Sequence, residues 1–566
     1  MGSINHKIIV ISAVTILFAG ACTVEPTDQA IRTTPVDPLE QEDLVLESDV
    51  RLHEEVKRER MSAADALVMP SQANSPRSAY KTLQATGLAQ LRVASEPLNR
   101  ENYAHFSDNP LQRVEEDPFS TFSIDVDTGA YSNMRRMLNA GSRPVKDALR
   151  TEELINYFSY DYPRPGDKER PFSIATEVGP SPWNPDTHLL HIGIQGYDVP
   201  RAQLPASNLV FLVDVSGSMQ SPDKLGLLKS ALRLLVRELK ADDRVSMVVY
   251  AGASGVVLEP TAGDQKATIT AALDGLTAGG STNGGAGIRM AYAFAQQAFI
   301  KDGINRIILA TDGDFNVGTV DFEMLKQLVE DRREHGIGLT TLGFGTGNYN
   351  DHLMEQLADA GNGNYAYIDT LSEARKALVD EMSSTFMTIA KDVKIQVEFN
   401  PATVAEYRLI GYENRALARE DFSNDKVDAG EIGAGHSVTA IYEIALTGSA
   451  GQRLDGSRYQ PEQGTRAKTS ELALVRVRYK QPDSDTSSLL EQPVRKAEIV
   501  RDLGEASGDY RFAAAVAGLG QILRGGKYTG DFSYPEVLTL ARGARGDDPF
   551  GYRGEFLQLT NLASSL

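Results

Sequence analysis

Five side chains that carry hard oxygen donors follow apolar runs or helices at three places in the chain. Asp214, Ser216 and Ser218 form a DxSxS motif directly after a buried apolar run. Thr282 follows a predicted helix and a pair of glycines, and Asp312 follows a second apolar run. Hydroxyl and carboxylate oxygens are the ligands that Mg²⁺ prefers in proteins. The five residues therefore predict a site for Mg²⁺ or Mn²⁺, with a charge of about −2 from its two carboxylates.

A parallel sheet is the element that would bring these residues together. Between residues 205 and 390, strand-like and helix-like segments alternate, which predicts a parallel sheet with helices on both faces. The predicted strands are Asn208–Val213, Arg244–Tyr250, Asn305–Ala310 and Gly338–Phe344. In such sheets, ligands lie beyond the carboxyl ends of the strands. The pattern predicts a doubly wound, Rossmann-like α/β fold with the metal site at that edge.

The helix after the DxSxS motif has clear sequence markers. Lys224–Leu239 carries leucines on one helical stripe, which predicts an amphipathic helix that packs on the sheet. Ser221 is the expected N-cap and Pro222 occupies the first helical position.

The order and context of the motif resemble those of a known family. DxSxS, Thr and Asp, each on the expected loop, match the metal-ion-dependent adhesion site of von Willebrand factor A domains. Gly279–Ile288 and Ile307–Gly318 resemble the YfbK-type bacterial members, and the resemblance extends from about Asn102 to the C-terminus.

The resemblance implies a von Willebrand factor A fold and a role for each site residue. Ser216, Ser218 and Thr282 are the expected neutral ligands, while Asp214 and Asp312 hold the cation directly or through water. In the family, one open coordination position accepts a Glu or Asp carboxylate from a partner protein. The cation is then shared across the interface.

Three other interpretations of these residues are weaker. The DxSxS motif alone could form a polar turn, but a chance motif rarely comes with the Thr and Asp elements in place. A calcium loop from Asp312 to Glu323 has Val317 where glycine belongs, and a strand precedes it. A hydrolase nucleophile at Ser216 or Ser218 lacks the GxSxG context and an obvious base.

The N-terminal residues resemble a bacterial lipoprotein signal. Lys7 precedes the apolar segment Ile8–Phe18, and small residues then lead to Cys22. The apolar segment is too short to span a bilayer. We expect residues 1–22 to be a signal peptide and Cys22 to be the lipid attachment point. Thr23 resembles the sorting pattern for the outer membrane, which predicts a cell-envelope protein that faces the periplasm.

Composition separates the rest of the chain into a tether and flanking domains. Residues 23–99 are rich in proline and charge, which predicts a flexible tether. We expect an N-terminal accessory domain with flanking strands over 100–204, a β-sandwich region over 391–490 and a helical cap over 491–566. The central domain would be inserted into a sandwich built from both flanks. Asp125 and Asp127, in the accessory segment, do not match a calcium loop.

The overall composition argues against some classes of partner and of site. Hydrophobic residues make up 41% and charged residues 24% of the 566 residues, and the net charge is −20. An acidic surface repels phosphate backbones, so nucleic acid is not an expected partner. Cys22 is the only cysteine, which excludes an intramolecular disulfide or Cys-based zinc site.

The sequence therefore predicts a lipid-anchored envelope protein that is not an enzyme. Its metal site would bind an envelope protein that presents an acidic side chain. The alternatives are an accessory subunit of an enzyme or chaperone complex and, third, a hydrolase. No P-loop GxxxxGK[ST] supports ATP use by the chain itself.

Overall fold

The computed structural model of the protein describes residues 101–166, 170–280, 284–313, 322–347, 349–454 and 470–566. The predicted signal peptide 1–22 with Cys22 and the predicted tether 23–99 lie outside the described residues. So does Thr282, one of the five predicted metal-site residues.

The strands of the described residues form three sheets. In chain order they are β1 Gln112–Arg113, β2 Phe119–Ser123, β3 Phe172–Pro180, β4 His188–Gly196, β5 Ser207–Asp214, β6 Arg244–Tyr250, β7 Ser254–Ala262, β8 Ile304–Thr311, β9 Gly338–Phe344, β10 Tyr365–Ile368, β11 Thr388–Phe399, β12 Val404–Ile410, β13 Ile432–Gly433, β14 Ser437–Leu446, β15 Glu471–Lys480 and β16 Ser487–Arg495.

Helices connect and cover these sheets. The α-helices of the described residues are Gly129–Asn139, Thr151–Asn156, Leu227–Glu238, Lys266–Asp274, Gly284–Gln297, Phe322–Glu334, Asp351–Ala360, Leu371–Arg375, Met382–Phe386, Gly508–Leu523, Tyr534–Arg542 and Tyr552–Ser565. None of the helices in the described part of the chain is both long and apolar enough to cross a membrane.

The central sheet has the strand order β10-β9-β8-β5-β6-β7. Its first five strands are parallel, and β7 pairs antiparallel with β6. Every residue of β5 and β8 is buried, as expected for inner strands covered on both faces. The four predicted parallel strands are confirmed. The two edge strands, β7 and β10, were not predicted.

Alternate residues of β5 pack in two separate cores. Leu209 and Phe211 join the core that contains Leu228 of the helix Leu227–Glu238. Val210 joins the opposite core, which contains Ile288 of the helix Gly284–Gln297. Successive strand residues point to opposite faces, so the sheet has helices on both sides. The predicted doubly wound fold is confirmed.

The helix after the DxSxS motif begins with a wide turn. Pro222–Gly226 forms one π-helical turn, and regular α-helix starts only at Leu227. Ser221 is the N-cap, as predicted, but its carbonyl and not its side chain accepts the hydrogen bond, from the Lys224 amide at 3.1 Å. The wide turn leaves Lys224 buried beside the sheet edge.

The flanking strands form a sandwich that draws on both sides of the central sheet. β3 and β4 precede the central sheet, β12 and β14 follow it, and all four share one antiparallel sheet with β1. The second antiparallel sheet contains β13, β11, β15 and β16, with β2 on β11. Residues of both sheets share one core. The predicted antiparallel sandwich is confirmed as part of the fold class.

The described residues of the segment expected to be an accessory domain pack on several other parts of the chain. β1 and β2 join the sandwich sheets, and Gly129–Asn139 packs on β10. Thr151–Asn156 packs on the C-terminal helix Gly508–Leu523. The core that contains the C-terminal helices also contains aromatic residues of this segment, among them Tyr131, Tyr157, Phe158 and Tyr160. The predicted domain bounds stay a prediction.

Candidate metal centre

Asp214 is the last residue of β5 and is completely buried. Its Oδ1 accepts a hydrogen bond from the Ser216 amide at 2.8 Å, and its Oδ2 accepts one from Thr311 Oγ1 at 2.9 Å. Burial raises the pKa of Asp214, and the charge of Asp312 raises it further. The carboxylate is thus held in one orientation at the carboxyl edge of the sheet.

The two serines of the motif face each other. Ser216 Oγ and Ser218 Oγ lie 2.9 Å apart, with Ser216 buried and Ser218 half-buried. The Gly217 amide donates to the Gly280 carbonyl at 3.0 Å, which ties this loop to the segment that leads to Thr282. The structure therefore places the described part of the second loop beside the serines. Thr282 itself lies outside the described residues.

Asp312 comes one residue after β8, the strand that pairs with β5. It is 1% exposed, and its Oδ2 accepts a hydrogen bond from Lys224 Nζ at 2.9 Å. Gly313 follows with φ +81°, and a Cβ there would overlap the Asn350 amide. Glycine adopts this positive φ readily and has no Cβ that would overlap Asn350. The loop is therefore closely packed against Asn350.

The donor set of this edge fits a hard cation. Its described members are the carboxylates of Asp214 and Asp312 and the hydroxyls of Ser216 and Ser218. Within the described ranges, no group of three or more His, Cys, Asp or Glu side chains is arranged to hold a metal. The two serine hydroxyls add hard oxygen donors to the two carboxylates, and such a set suits Mg²⁺ better than Zn²⁺.

Two residues that the sequence did not indicate complete the surroundings. Lys224 was expected only to begin a helix, yet it pairs with Asp312. Tyr250 ends β6 beside Asp214, and burial raises its pKa, with the Asp214 charge as the next cause. Lys224 lies at the start of a helix and Tyr250 at the end of a strand, and both of these ends are next to the site. Their positions at the ends of elements are the sequence signal that could have indicated a role at the site.

The hydroxyls of the two serines lie in contact, and the Ser216 side chain also hydrogen-bonds the Asp214 carboxylate. The two serine hydroxyls are thus held beside a carboxylate of the predicted site. The hydrolase alternative stays a hypothesis.

Asp125 and Asp127 have a cationic partner of their own. Arg415 Nε lies 3.2 Å from Asp125 Oδ2, and its Nη2 lies 3.4 Å from Asp127 Oδ2. These ion pairs agree with the sequence interpretation that the two aspartates do not form a calcium loop.

Three family models match the chain. The model described as von Willebrand factor type A domain matches residues 209–314, and the one described as von Willebrand factor matches 97–191. The model described as Uncharacterized protein YfbK, C-terminal, matches 384–566. The first range contains Asp214, Ser216, Ser218 and Asp312.

The chain is also similar to individual proteins. The chain is 48% identical over 472 residues to Uncharacterized protein YfbK of Escherichia coli, and the match covers 82% of this chain and 81% of that protein. It is 30% identical over 186 residues to Uncharacterized protein sll0103 of Synechocystis, which covers 32% of this chain and 43% of that protein. A solved von Willebrand factor type A structure from Catenulispora acidiphila covers 70% of this chain and 91% of its own, with 15% identity and a TM-score of 0.38.

A von Willebrand factor A domain indicates a role in protein interaction or adhesion. Both the family models and the extended match at high identity include the central domain and its flanks. The chain therefore belongs to the YfbK family of von Willebrand factor type A domain proteins.

Proposed function

We propose that this protein holds Mg²⁺ or Mn²⁺ at the carboxyl edge of the central sheet and binds an acidic side chain of an envelope protein there, without catalysing a reaction. The observation that carries the proposal is the meeting of Asp214 with Ser216 and Ser218 on one loop and Asp312 on the next. Neighbouring parallel strands end at this edge, which is where ligands bind in open α/β sheets.

The chain's own residues supply the positioning. The Ser216 amide and Thr311 hydroxyl orient the two oxygens of Asp214, and Ser218 stays partly accessible beside Ser216. Ser216, Ser218 and Asp214 would hold the cation from one loop, and Asp312 and Thr282 from two others. A bound Mg²⁺ would supply a Lewis-acidic position for an anionic oxygen of the partner.

The experiment is a pull-down of the mature protein from envelope extract, in parallel with Mg²⁺ and with chelator. We expect partners that are lost with chelator and equally lost with Asp214→Ala or Thr282→Ala. Thr261→Ala is the matched control, because Thr261 lies on β7 opposite Val245, at the other end of β6 from the site. Partners retained by all variants and in chelator would refute the proposal.

We also propose that Cys22 carries a lipid that anchors the protein in the cell envelope, in the outer membrane and facing the periplasm. The support is the apolar segment Ile8–Phe18 and the small residues before Cys22. Cys22→Ser should release the protein from the membrane fraction, and mass spectrometry should find diacylglyceryl on the native N-terminus. A cytoplasmic pool of the native protein would instead favour an accessory subunit of an enzyme or chaperone complex.

A further inference from the structure

Lys224 reaches the candidate metal centre along a defined path. Its Nζ donates to Asp312 Oδ2 at 2.9 Å, and the residue is 7% exposed. It starts from the wide turn Pro222–Gly226, which places it under the site and not on the solvent side of the helix. An ammonium so buried is costly unless a carboxylate pairs with it.

The lack of a side chain at Gly345 leaves space for the side chain of Lys224. The residue has φ +74°, and a Cβ there would overlap the methylene groups of Lys224. The Gly345 carbonyl accepts a hydrogen bond from the buried Tyr367 hydroxyl at 2.5 Å, so this backbone is held in place. The lysine side chain therefore packs against the backbone of Gly345, which follows β9, and its charge is directed at Asp312.

We propose that Lys224 is a positioning residue that weakens the affinity of the site for a divalent cation and favours an acidic partner group. This inference rests on the function proposed above. Asp214 and Asp312 carry a charge of about −2, and the ammonium of Lys224 reduces it to about −1. A dication then leaves a net charge of about +1, which an incoming carboxylate neutralises.

Without the ammonium, the two carboxylates and a dication would already sum to about zero. A partner carboxylate would then add uncompensated negative charge. Lys224 thus opposes the binding of the cation and favours the binding of the acidic partner group. In addition, its hydrogen bond occupies Oδ2 of Asp312 and so orients the other carboxylate oxygen.

The first test titrates Mn²⁺ alone into the mature full-length chain by calorimetry. Lys224→Gln keeps a hydrogen-bond donor and removes the charge, so we expect Mn²⁺ to bind about tenfold more tightly, which corresponds to 1.4 kcal/mol. Lys229→Gln is the control. Lys229 lies on the next turns of the same helix, and its Nζ donates to the carbonyls of Asp274 and Leu276 instead of an aspartate.

A second arm uses acetate as a probe of the partner carboxylate. Each protein is loaded with Mn²⁺, and water-proton relaxation follows acetate binding. We expect acetate to bind the wild type at least about threefold more tightly than Lys224→Gln, as the charge difference requires. Circular dichroism checks that each variant is folded, and Lys224→Met replaces Lys224→Gln if the latter fails to fold.

The outcomes separate the two proposals. The inference is supported if the wild type and Lys229→Gln bind Mn²⁺ with equal affinity and Lys224→Gln binds it more tightly. Equal or weaker Mn²⁺ binding by the folded Lys224 variant overturns it, as does equal acetate binding, and the metal site itself stands. If neither the wild type nor the Lys224 variant binds Mn²⁺, the proposed function is overturned as well.

Discussion

Two groups of buried carboxylates differ in what neutralises them. In the first, which we call the charge-paired junction, Arg150 and Arg415 meet Glu153, Asp351 and Glu355. Arg150 Nη1 lies 2.6 Å from Asp351 Oδ2, its Nε contacts Glu153, and Arg415 Nη2 lies 3.2 Å from Glu355. Guanidinium groups, with several fixed donors, hold carboxylates that come from distant parts of the chain.

The second group is the candidate metal centre. Here Asp312 pairs with the ammonium of Lys224, and serine hydroxyls lie beside the buried carboxylates. An ammonium is a compact point charge, unlike the planar fork of arginine.

The difference shows what each region can do. The junction joins Thr151–Asn156 to Asp351–Ala360, and Arg150 contacts carboxylates of both helices. The centre keeps hard oxygen donors at a sheet edge, next to loops. Burial alone therefore does not identify a binding site, whereas the kind of counter-ion helps to do so.

The largest effect should follow from breaking the junction. Arg150→Met removes a guanidinium that is 1% exposed and leaves Glu153 and Asp351 buried without it. We expect a loss of about 3–5 kcal/mol in the free energy of unfolding, because an uncompensated buried charge is left behind. Urea denaturation followed by circular dichroism measures this change. A loss below about 1 kcal/mol would mean that the junction contributes little.

A buried histidine that hydrogen-bonds a tyrosine hydroxyl should instead be neutral, and the pH dependence of stability tests that contrast. Burial lowers the pKa of His191, on β4, to about 4, and its Nε2 lies 3.0 Å from Tyr162 Oη. The unfolded chain binds more protons between pH 4 and 6.5, so this contribution is complete above pH 6.5 and is lost as pH falls through about 4.

The expected size is about 3 kcal/mol between those limits. His191→Gln should remove this part of the pH dependence, measured as the difference between the two unfolding curves across pH 4 to 7. Parallel curves for the two proteins would show that His191 does not titrate on unfolding.

The metal centre should respond to cations where the junction does not. Excess Mn²⁺ should raise the stability of the protein by about 1–3 kcal/mol, as expected at concentrations of about ten to a hundred times Kd. The melting temperature in a Mn²⁺ titration measures it. Asp312→Ala should abolish this stabilisation by Mn²⁺. Arg150→Met should lower the stability of the protein without metal but leave the stabilisation by Mn²⁺ unchanged. A melting temperature that is independent of Mn²⁺ would argue against the site.

The smallest effect should come from an ion pair at the surface. Arg164 and Asp198 lie 3.3 Å apart, with side chains that are 70% and 42% exposed. Arg164→Met should change the free energy of unfolding by less than about 0.5 kcal/mol, because water and salt screen such a pair. The same urea experiment compares it directly with Arg150→Met. Equal losses from the two substitutions would show that burial does not set the difference.

Much of the central sheet could be predicted from the local sequence. The continuous apolar runs of β5 and β8 predict inner strands, and the residues after them can be assigned to the carboxyl edge of the sheet from the sequence alone. The edge strands were missed for physical reasons. β10 has only four residues, and β7 contains Pro260 and many half-exposed residues, so neither shows a clear apolar pattern.

The charged contacts could not be predicted in the same way. Lys224 and Asp312 are 88 residues apart in the chain, and Arg150 and Asp351 are 201 apart. Nothing in the local pattern of either residue names its partner, since pairing depends on how helices pack on the sheet. Thr282 and Cys22 lie outside the described residues, so their roles stay predictions.

By itself, the sequence determined the doubly wound sheet and the placement of Asp214, Ser216, Ser218 and Asp312 after strands, because hydrophobic periodicity and the succession of strands and helices along the chain are local properties. Only the tertiary structure decided that Lys224 faces Asp312, and that residues 112–156 pack on the sandwich, the central sheet and the C-terminal helices. These outcomes depend on burial of surfaces that are far apart in the chain, and burial is a property of the whole packed molecule.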